Sequence, residues 1–255
     1  MKLFLLTSSM GKRLIGKGVA ALPEVRDVLK EGTLVVVAGT TNAYVAEEIL
    51  SAAGQNEGFA RQGFRRGVTV PPGTRKGDMG RLPDEDRFPG DVVLVDGAWQ
   101  RGKRIFDIVD GMSDGDVIVK GANAVCLRTR KAAVLVGHPM AGTAGAAIPA
   151  VAGRRVRMIV PVGLEKRVER DVADLAQAVN APGGEGPRML PLPGQVFTEL
   201  EALELLTGAT ATLVASGGVA GAEGAVWLGV CGTAEQVSTA AALVDELKSE
   251  PACEP

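Results

Sequence analysis

Leu34-Val35-Val36-Val37-Ala38-Gly39-Thr40-Thr41-Asn42 is an apolar run that ends in a glycine and three small polar residues. A continuous valine-rich run is typical of a β-strand that is buried on both faces. Beyond it, apolar residues recur every three or four positions between Val45 and Ala53, which predicts an amphipathic helix. The stretch therefore predicts a strand, a short loop and a helix, in that order.

The same alternation of strand and helix recurs along the chain. Further strands are predicted at 92–95, 117–119, 134–136 and 158–160, and further helices at 143–152 and 165–179. Two short helices, at 11–21 and 24–30, precede the first strand of the sheet. Apolar strands separated by helices predict an α/β fold, with a mostly parallel sheet that has helices on both faces.

The composition limits the classes of protein to which the chain can belong. Its 255 residues, 46% of them hydrophobic, are enough to bury a core without a disulfide or a metal. The 28 basic and 30 acidic residues nearly balance, which argues against nucleic-acid binding. No apolar stretch reaches ~18 residues, so no membrane partner is expected. The widely spaced cysteines and the single histidine predict a reduced, cytoplasmic protein with no metal site.

Two segments rich in proline and glycine interrupt the alternation. Residues 55–90 predict a long insertion, which is either a solvated loop or a lid whose basic residues reach an anion. These basic residues are Arg61, Arg65, Arg66, Arg75 and Lys76. Residues 181–187 predict a linker, so we expect an α/β ligand-binding domain at 1–184 and a second domain after it.

The segment 185–248 has its own order of elements. Capping boxes at 198–201 and 233–236 begin two helices, and the order β-α-β-β-α predicts a small ferredoxin-like α+β domain. Residues 209–234 carry almost no charge, and an apolar β-rich segment of this kind usually packs against a partner, so a homo-oligomer is expected. Residues 249–255 are predicted to be a frayed tail.

Gly39, Thr40, Thr41 and Asn42 form the first candidate site. They lie between a strand and the N-terminus of a helix, where amides and hydroxyls favour a phosphate or a carboxylate. The alternative is that Thr40 or Thr41 only caps the helix. The loop matches neither the dinucleotide-binding glycine pattern nor a P-loop, and no cofactor is expected.

A second glycine-rich loop contains His138, Gly142 and Thr143, and it again joins a strand to a helix. Gly142 and Thr143 are candidate substrate-binding residues, and His138 is a candidate general acid or base because its pKa lies near neutrality. Alternatively, the loop only lets a small-residue helix pack closely, and the histidine is a structural hydrogen-bonding group. If both loops bind one ligand, Thr143 should line the same crevice as Thr40 or Thr41.

Three other strand ends carry candidate residues. Lys120, Gly121 and Asn123 could position an anion and a carbonyl group, or they could form a loop with a solvated lysine. Asp96 could be a base, or it could close a turn. Glu165 could be a base or a nucleophile, or the helix that it begins could simply stabilise its charge.

The chain resembles the family that groups glucosamine-6-phosphate deaminase, ribose-5-phosphate isomerase and the coenzyme A transferases. The resemblance rests on Gly39-Thr40-Thr41-Asn42-Ala43-Tyr44, Asp96-Gly97-Ala98 and Lys120-Gly121. It implies that the first loop holds a phosphate, that Asp96 is an isomerase base and that Lys120 contacts the substrate. A rival alignment, on Gly121-Ala122-Asn123-Ala124 and Gly142-Thr143, resembles the related methylthioribose-1-phosphate isomerases.

These observations predict an enzyme that acts on a small phosphorylated or carboxylated metabolite, by chemistry like that of a sugar-phosphate isomerase. The anion would lie on residues 39–42, and the reacting carbon would face Asp96, Lys120, Asn123 and His138. Two alternatives stay open. One is an acyl or coenzyme A transferase with Glu165 as the nucleophile, and the other is a non-catalytic ligand sensor or assembly subunit.

Overall fold

The computed structural model of the chain describes residues 1–73 and 90–252. Its strands are β1 (Lys2–Leu6), β2 (Thr33–Val36), β3 (Val92–Val95), β4 (Ala98–Trp99), β5 (Val117–Val119), β6 (Ala124–Cys126), β7 (Lys131–Val136), β8 (Arg157–Pro161), β9 (Arg188–Pro191), β10 (Gln195–Phe197), β11 (Thr210–Ser216) and β12 (Val226–Cys231). Its helices are α1 (Ser8–Ala21), α2 (Pro23–Val28), α3 (Thr40–Ala52), α4 (Gly142–Arg154), α5 (Val172–Val179), α6 (Glu199–Thr207) and α7 (Ala234–Leu247).

The central sheet has six strands in the order β10-β8-β5-β2-β3-β4, so the predicted α/β class is confirmed. β10, β8, β5 and β2 are parallel, whereas β3 runs antiparallel to β2 and β4 runs antiparallel to β3. The sheet is therefore mixed. It is parallel from β10 to β2 and antiparallel from β2 to β4. β3 is reversed because the chain enters it beside the end of β2, where Val92 lies opposite Val36.

Two three-stranded antiparallel sheets flank the central one. β7 was predicted as a strand of the main sheet, but it forms a hairpin with β6 and also pairs with β9. The other sheet has the order β1-β12-β11, and the sequence analysis did not predict β1.

The elements predicted for residues 185–248 are present, but their strands are shared with the rest of the chain. β9 pairs with β7, β10 pairs with β8, and the hairpin of β11 and β12 is completed by the N-terminal strand β1. The segment therefore has no sheet of its own. The pairing of β10 with β8 brings the start of α6 to the edge of the central sheet.

Helix α1 packs closely between α3 and α6 because two of its glycines leave room for them. A Cβ on Gly16 would lie 3.0 Å from the carbonyl carbon of Tyr44, and a Cβ on Gly18 would lie 2.8 Å from Cβ of Ala202. Leu14, Ile15 and Val19 complete this core on the same helix. On the other face of the sheet, the alanines of α4 pack against Val35 and Val37 in a second core. In the described residues, no helix is both long and apolar enough to cross a membrane.

Candidate active site at the edge of the central sheet

Charged and polar side chains converge where the parallel strands of the central sheet end. β2, β5, β8 and β10 end at this edge, and β3 begins there because it runs in the opposite direction. We call the side chains gathered at this edge the carboxyl-edge cluster, which comprises Lys12, Thr41, Asn42, Arg66, Asp91, Lys120, Glu165, Lys166 and Glu199.

The first turn of α3 places Thr41 and Asn42 at this edge. Asn42 Nδ2 donates to the carbonyls of Val37 (2.7 Å) and Val119 (3.1 Å), so it joins the ends of β2 and β5. Within the described residues, Thr41 Oγ1 and Asn42 Oδ1 are buried and have no hydrogen-bond partner. Because buried polar atoms are normally hydrogen-bonded, these two atoms are available to a ligand.

Neither threonine of the loop caps the helix. Gly39 is the residue at the cap position, no side chain accepts a hydrogen bond there, and Thr40 is exposed. The alternative that these threonines serve as caps is therefore wrong. The Gly39 amide donates to the carbonyl of Phe64 at 3.1 Å, which ties the loop to the first part of the 55–90 insertion.

Asp91 holds the loops of the edge together. One of its carboxylate oxygens accepts from the amide of Ala38 (2.9 Å) and the other from the amide of Ile105 (2.8 Å). The Arg66 guanidinium lies 3.7 Å from the first oxygen. The carboxylate is thus fully engaged, and its role is structural.

Lys120 follows β5 and is only 8% exposed. Its Nζ donates to the carbonyl of Gly121 at 3.4 Å, which is a long hydrogen bond. Burial lowers the pKa of Lys120 to about 8; the negative charge of Asp91 opposes this shift, and the positive charges of Arg66 and Lys166 add to it.

Glu165 and Glu199 lie at the ends of β8 and β10. Glu165 Oε1 forms an ion pair with Lys12 Nζ at 3.3 Å, and the Glu199 carboxylate accepts from the amide of Leu164 at 3.0 Å. Burial and the negative charge of Glu165 raise the pKa of Glu199, whereas Lys12 opposes this shift. Glu199 therefore tends to hold a proton at neutral pH while Glu165 is ion-paired.

Lys166 connects the segment that follows β8 to the segment that follows β5. Its Nζ donates to the carbonyl of Ala122 at 3.1 Å, on the segment that follows Lys120. Burial lowers the pKa of Lys166; the charge of Glu165 opposes the shift and that of Lys12 adds to it. Together, the cluster contains four basic side chains and three carboxyl groups.

A cavity of about 280 Å³ lies outside the cluster, beside the start of α3. Its lining residues are Thr40, Ala43, Tyr44, Arg61, Gln62, Arg65, Pro251 and Ala252. The guanidinium groups of Arg13 and Arg61 lie 4.9 and 4.3 Å from the centroid of the Tyr44 ring. Of the basic residues of the insertion, Arg61 and Arg65 line this cavity and Arg66 lies near Asp91, whereas Arg75 and Lys76 lie outside the described residues; that they reach an anion stays a prediction.

The C-terminal segment reaches the same cavity. Glu250 accepts hydrogen bonds from Arg13 Nε (2.8 Å) and from an Arg61 Nη (2.7 Å). Residues 249–252, which were predicted to be frayed, are therefore held by two arginines, and residues 253–255 lie outside the described part.

Asp96 lies at the opposite edge of the sheet from the cluster. Its Oδ1 accepts from the amide of Gly32 at 2.9 Å, just before β2 begins, and its backbone, with a φ of 49°, lies in the exposed turn between β3 and β4. The predicted base is misplaced because β3 is antiparallel, so the residue after it is at the amino end of β2. Asp96 is a turn residue, the alternative that the sequence left open.

The loop of His138, Gly142 and Thr143 follows β7, which lies outside the central sheet. His138 Nδ1 accepts from the amide of Met140 at 3.0 Å, so the histidine stabilises its own loop. Thr143 does not line the cavity that contains Thr40, which contradicts the shared crevice. Asn123 is likewise structural, since its Oδ1 accepts from the amide of Leu135 at 3.0 Å within the hairpin of β6 and β7.

Of the predicted residues, the structure brings Thr41, Asn42, Lys120, Gly121 and Glu165 to one edge. Four residues of the cluster were not predicted from the sequence: Lys12, Asp91, Lys166 and Glu199. Of these, Lys12 could have been recognised from the sequence, because it lies at helical spacing from Ile15 and Val19 on the apolar face of α1.

Comparison of the chain with protein-family models, with curated proteins and with solved structures gives no match. The chemistry of the carboxyl-edge cluster is therefore the basis on which a function can be argued.

Proposed function

We propose that the chain is an enzyme that acts on a small phosphorylated or carboxylated metabolite, bound at the carboxyl-edge cluster. The observation that carries the proposal is the excess of buried positive charge. The three lysines Lys12, Lys120 and Lys166 face the two carboxylates of Asp91 and Glu165, while Glu199 favours its protonated form. Because a buried charge is unfavourable unless it is paired, an anionic ligand would complement this cluster.

The unbonded polar atoms support the same assignment. The Thr41 hydroxyl can donate to a phosphate or carboxylate oxygen, and Asn42 Oδ1 can accept from a substrate hydroxyl. Both side chains lie at the carboxyl ends of adjacent parallel strands, which is where ligands bind in open α/β sheets.

The two glutamates supply a pair suited to proton transfer. Glu165, ion-paired with Lys12, is the candidate base, and Glu199, whose pKa is raised, is the candidate acid. Two carboxyl groups whose environments separate their protonation states are typical of acid–base catalysis, and they favour an enzyme over a sensor. This proposal moves the isomerase-like base from Asp96 to Glu165.

A second candidate, acyl or coenzyme A transfer, uses Glu165 as a nucleophile instead. This candidate is favoured by the access of a substrate to the Glu165 carboxylate, since the Glu165 side chain is 18% exposed whereas Glu199 is buried. Hydroxylamine would cleave a covalent glutamyl intermediate and leave a hydroxamate on Glu165, which peptide mass spectrometry detects, whereas a proton-transfer enzyme would leave Glu165 unmodified.

The test of the binding site is calorimetric titration with inorganic phosphate and with a panel of sugar phosphates and keto acids. Thr41→Val keeps the shape of the side chain and removes its hydroxyl, so binding should weaken by about 1 kcal/mol, or about fivefold. Thr212→Val, on the exposed face of β11, is the matched control and should bind like the wild type. If no anion binds to the wild-type protein, the proposal is wrong.

We also propose that the protein is a homo-oligomer that associates through the sheet β1-β12-β11. Helices α6 and α7 cover one face of this sheet, where Leu228 and Val230 are buried. The other face exposes Leu3, Val214 and Trp227, and an apolar patch of this kind is typical of an interface. The free cysteines Cys126 and Cys231 fit a reducing, cytoplasmic location.

A further inference from the structure

The hydrogen bond of Lys120 Nζ is longer than those of the other two lysines of the cluster. Lys12 Nζ is bound by Glu165 and by the carbonyl of Ser8 at 3.1 Å, and Lys166 Nζ has a carbonyl at 3.1 Å. Lys120 Nζ has one hydrogen bond, at 3.4 Å, and no carboxylate of residues 1–73 or 90–252 lies within 4.0 Å of it. An ammonium group has three N–H donors, so this environment suits a neutral amine better than a cation.

The positive charges of Arg66 and Lys166 add to the effect of burial on Lys120, whereas the negative charge of Asp91 opposes it. Arg66 and Lys166 are positive neighbours, and the carboxylate of Asp91 already accepts two backbone hydrogen bonds. A lysine that is buried beside other cations is the arrangement that activates an amine for attack on a carbonyl carbon.

Unbonded polar atoms that a substrate could use lie beside the segment that carries this amine. Asn42 Oδ1 would lie 3.7 Å from a Cβ on Gly121, the residue after Lys120, so this unbonded oxygen is adjacent to that segment. The Thr41 hydroxyl, also unbonded, precedes Asn42 in the same turn of α3.

We propose that Lys120 is a catalytic nucleophile that forms an imine with an anionic aldehyde or ketone. The inference rests on the proposed function, because the same cluster binds the anionic group of the substrate. The unshared electron pair of Nζ forms a bond to the carbonyl carbon, and the π electrons move to oxygen. Nζ loses its protons as the oxygen gains them, and water leaves, so the step needs neither an oxidant nor a cofactor.

The imine explains why carboxyl groups lie in the same cluster. Once protonated, it withdraws electrons from the neighbouring carbon, which makes a proton on that carbon easier to remove. Glu165 is then the base that removes this proton. The substrate class is thereby narrowed to carbonyl compounds with a phosphate or carboxylate group.

Reductive trapping tests the inference. Glyoxylate and glycolaldehyde phosphate, which combine an aldehyde with a carboxylate or a phosphate, are incubated with the full chain and sodium cyanoborohydride. Hydride reduces the imine to a stable secondary amine, and peptide mass spectrometry locates it. We expect Lys120 to be modified at least tenfold faster than any other lysine, and Lys120→Met to abolish this fast modification.

Lys30→Met is the matched control, because Lys30 is 75% exposed and lies far from the cluster, before β2. It should leave trapping unchanged. Modification spread over the exposed lysines, or concentrated on Lys166, would overturn the assignment of Lys120.

Binding of the same probes without reductant separates this inference from the proposed function. If the probes bind to the wild type and no adduct forms on Lys120, the imine is excluded and the anion site remains. If they do not bind to the wild type at all, both proposals are contradicted. Far-UV circular dichroism of Lys120→Met checks that a loss of trapping does not come from unfolding.

Discussion

Replacing Lys120 by methionine should make the protein more stable at neutral pH. Methionine has a similar length and no charge, so the variant removes the unfavourable burial of an ammonium group. The pKa of Lys120 falls from 10.5 to about 8 on folding, and this difference corresponds to about 3 kcal/mol. A polar residue whose replacement stabilises the protein is typically kept for function rather than for stability.

The gain should depend on pH in one direction. Below pH 8, Lys120 is charged in both the folded and the unfolded states, and the folded state bears the whole cost of burial. Between about pH 8 and 10.5, the unfolded chain binds more protons than the folded one, so the stability of the wild type rises with pH. The advantage of Lys120→Met should therefore shrink by about 2 kcal/mol between pH 7 and pH 9.5.

Urea denaturation of both proteins at pH 7, 8, 9 and 9.5 measures the effect, with Lys30→Met as a control. The exposed Lys30 should change the free energy of unfolding by less than about 0.5 kcal/mol at each pH. The reasoning is refuted if Lys120→Met is less stable than the wild type at pH 7, or if the difference between them does not vary with pH.

Three further outcomes are expected. Glu165→Gln should lower kcat by ~100-fold or more and leave KM within a few-fold, because it removes the base and keeps the shape; an unchanged kcat would exclude Glu165 as the base. Asp96→Ala should leave kcat within twofold and lower the free energy of unfolding by about 1 kcal/mol, since it removes the oxygen that accepts from the Gly32 amide at the opposite edge. Leu3→Glu should convert the oligomer to a monomer in light scattering, and a wild-type monomer at micromolar concentration would contradict the oligomer itself.

The sequence was most informative where the structure depends on neighbours along the chain. The strand and helix predicted from residues 34–53 are β2 and α3, because the valine run and the spacing from Val45 onward are local patterns. The direction of β3 was not predictable in this way. A short valine-rich strand looks the same in parallel and antiparallel pairs, and that direction alone decides whether Asp91 or Asp96 reaches the carboxyl edge.

The site was predictable only in part, for a similar reason. Thr41, Asn42, Lys120 and Glu165 were found because each lies just after a predicted strand. Glu199 was not, since the segment around it has the pattern of a capping box, and nothing local indicates that β10 joins the central sheet beside β8. Thr198 and Glu201 form that capping box, while Glu199 between them turns toward Leu164.

Hydrogen bonding separates the structural polar groups of the sheet from the functional ones. Asp91 and Asp116, at opposite edges, each accept two backbone hydrogen bonds, and Asp96 accepts one from the segment before β2. Folding has already satisfied these carboxylates, so a ligand has little to gain from them.

The opposite holds for Thr41, Asn42 and Lys120. They are as deeply buried as the aspartates that hold the loops, yet two of them have unbonded atoms and the third has a single long hydrogen bond. Trp99 and Thr129 also carry one unbonded buried atom each, but Trp99 lies on the edge strand β4 and Thr129 in the turn between β6 and β7, away from the strand ends of the cluster. At one edge of the sheet, the buried amine of Lys120 has one long hydrogen bond, and the Thr41 hydroxyl and the Asn42 amide oxygen have none. A ligand that complements them offers an electrophilic carbon to the amine, an acceptor to the hydroxyl and a donor to the amide oxygen. A hydroxylated carbonyl compound with an anionic group has all three.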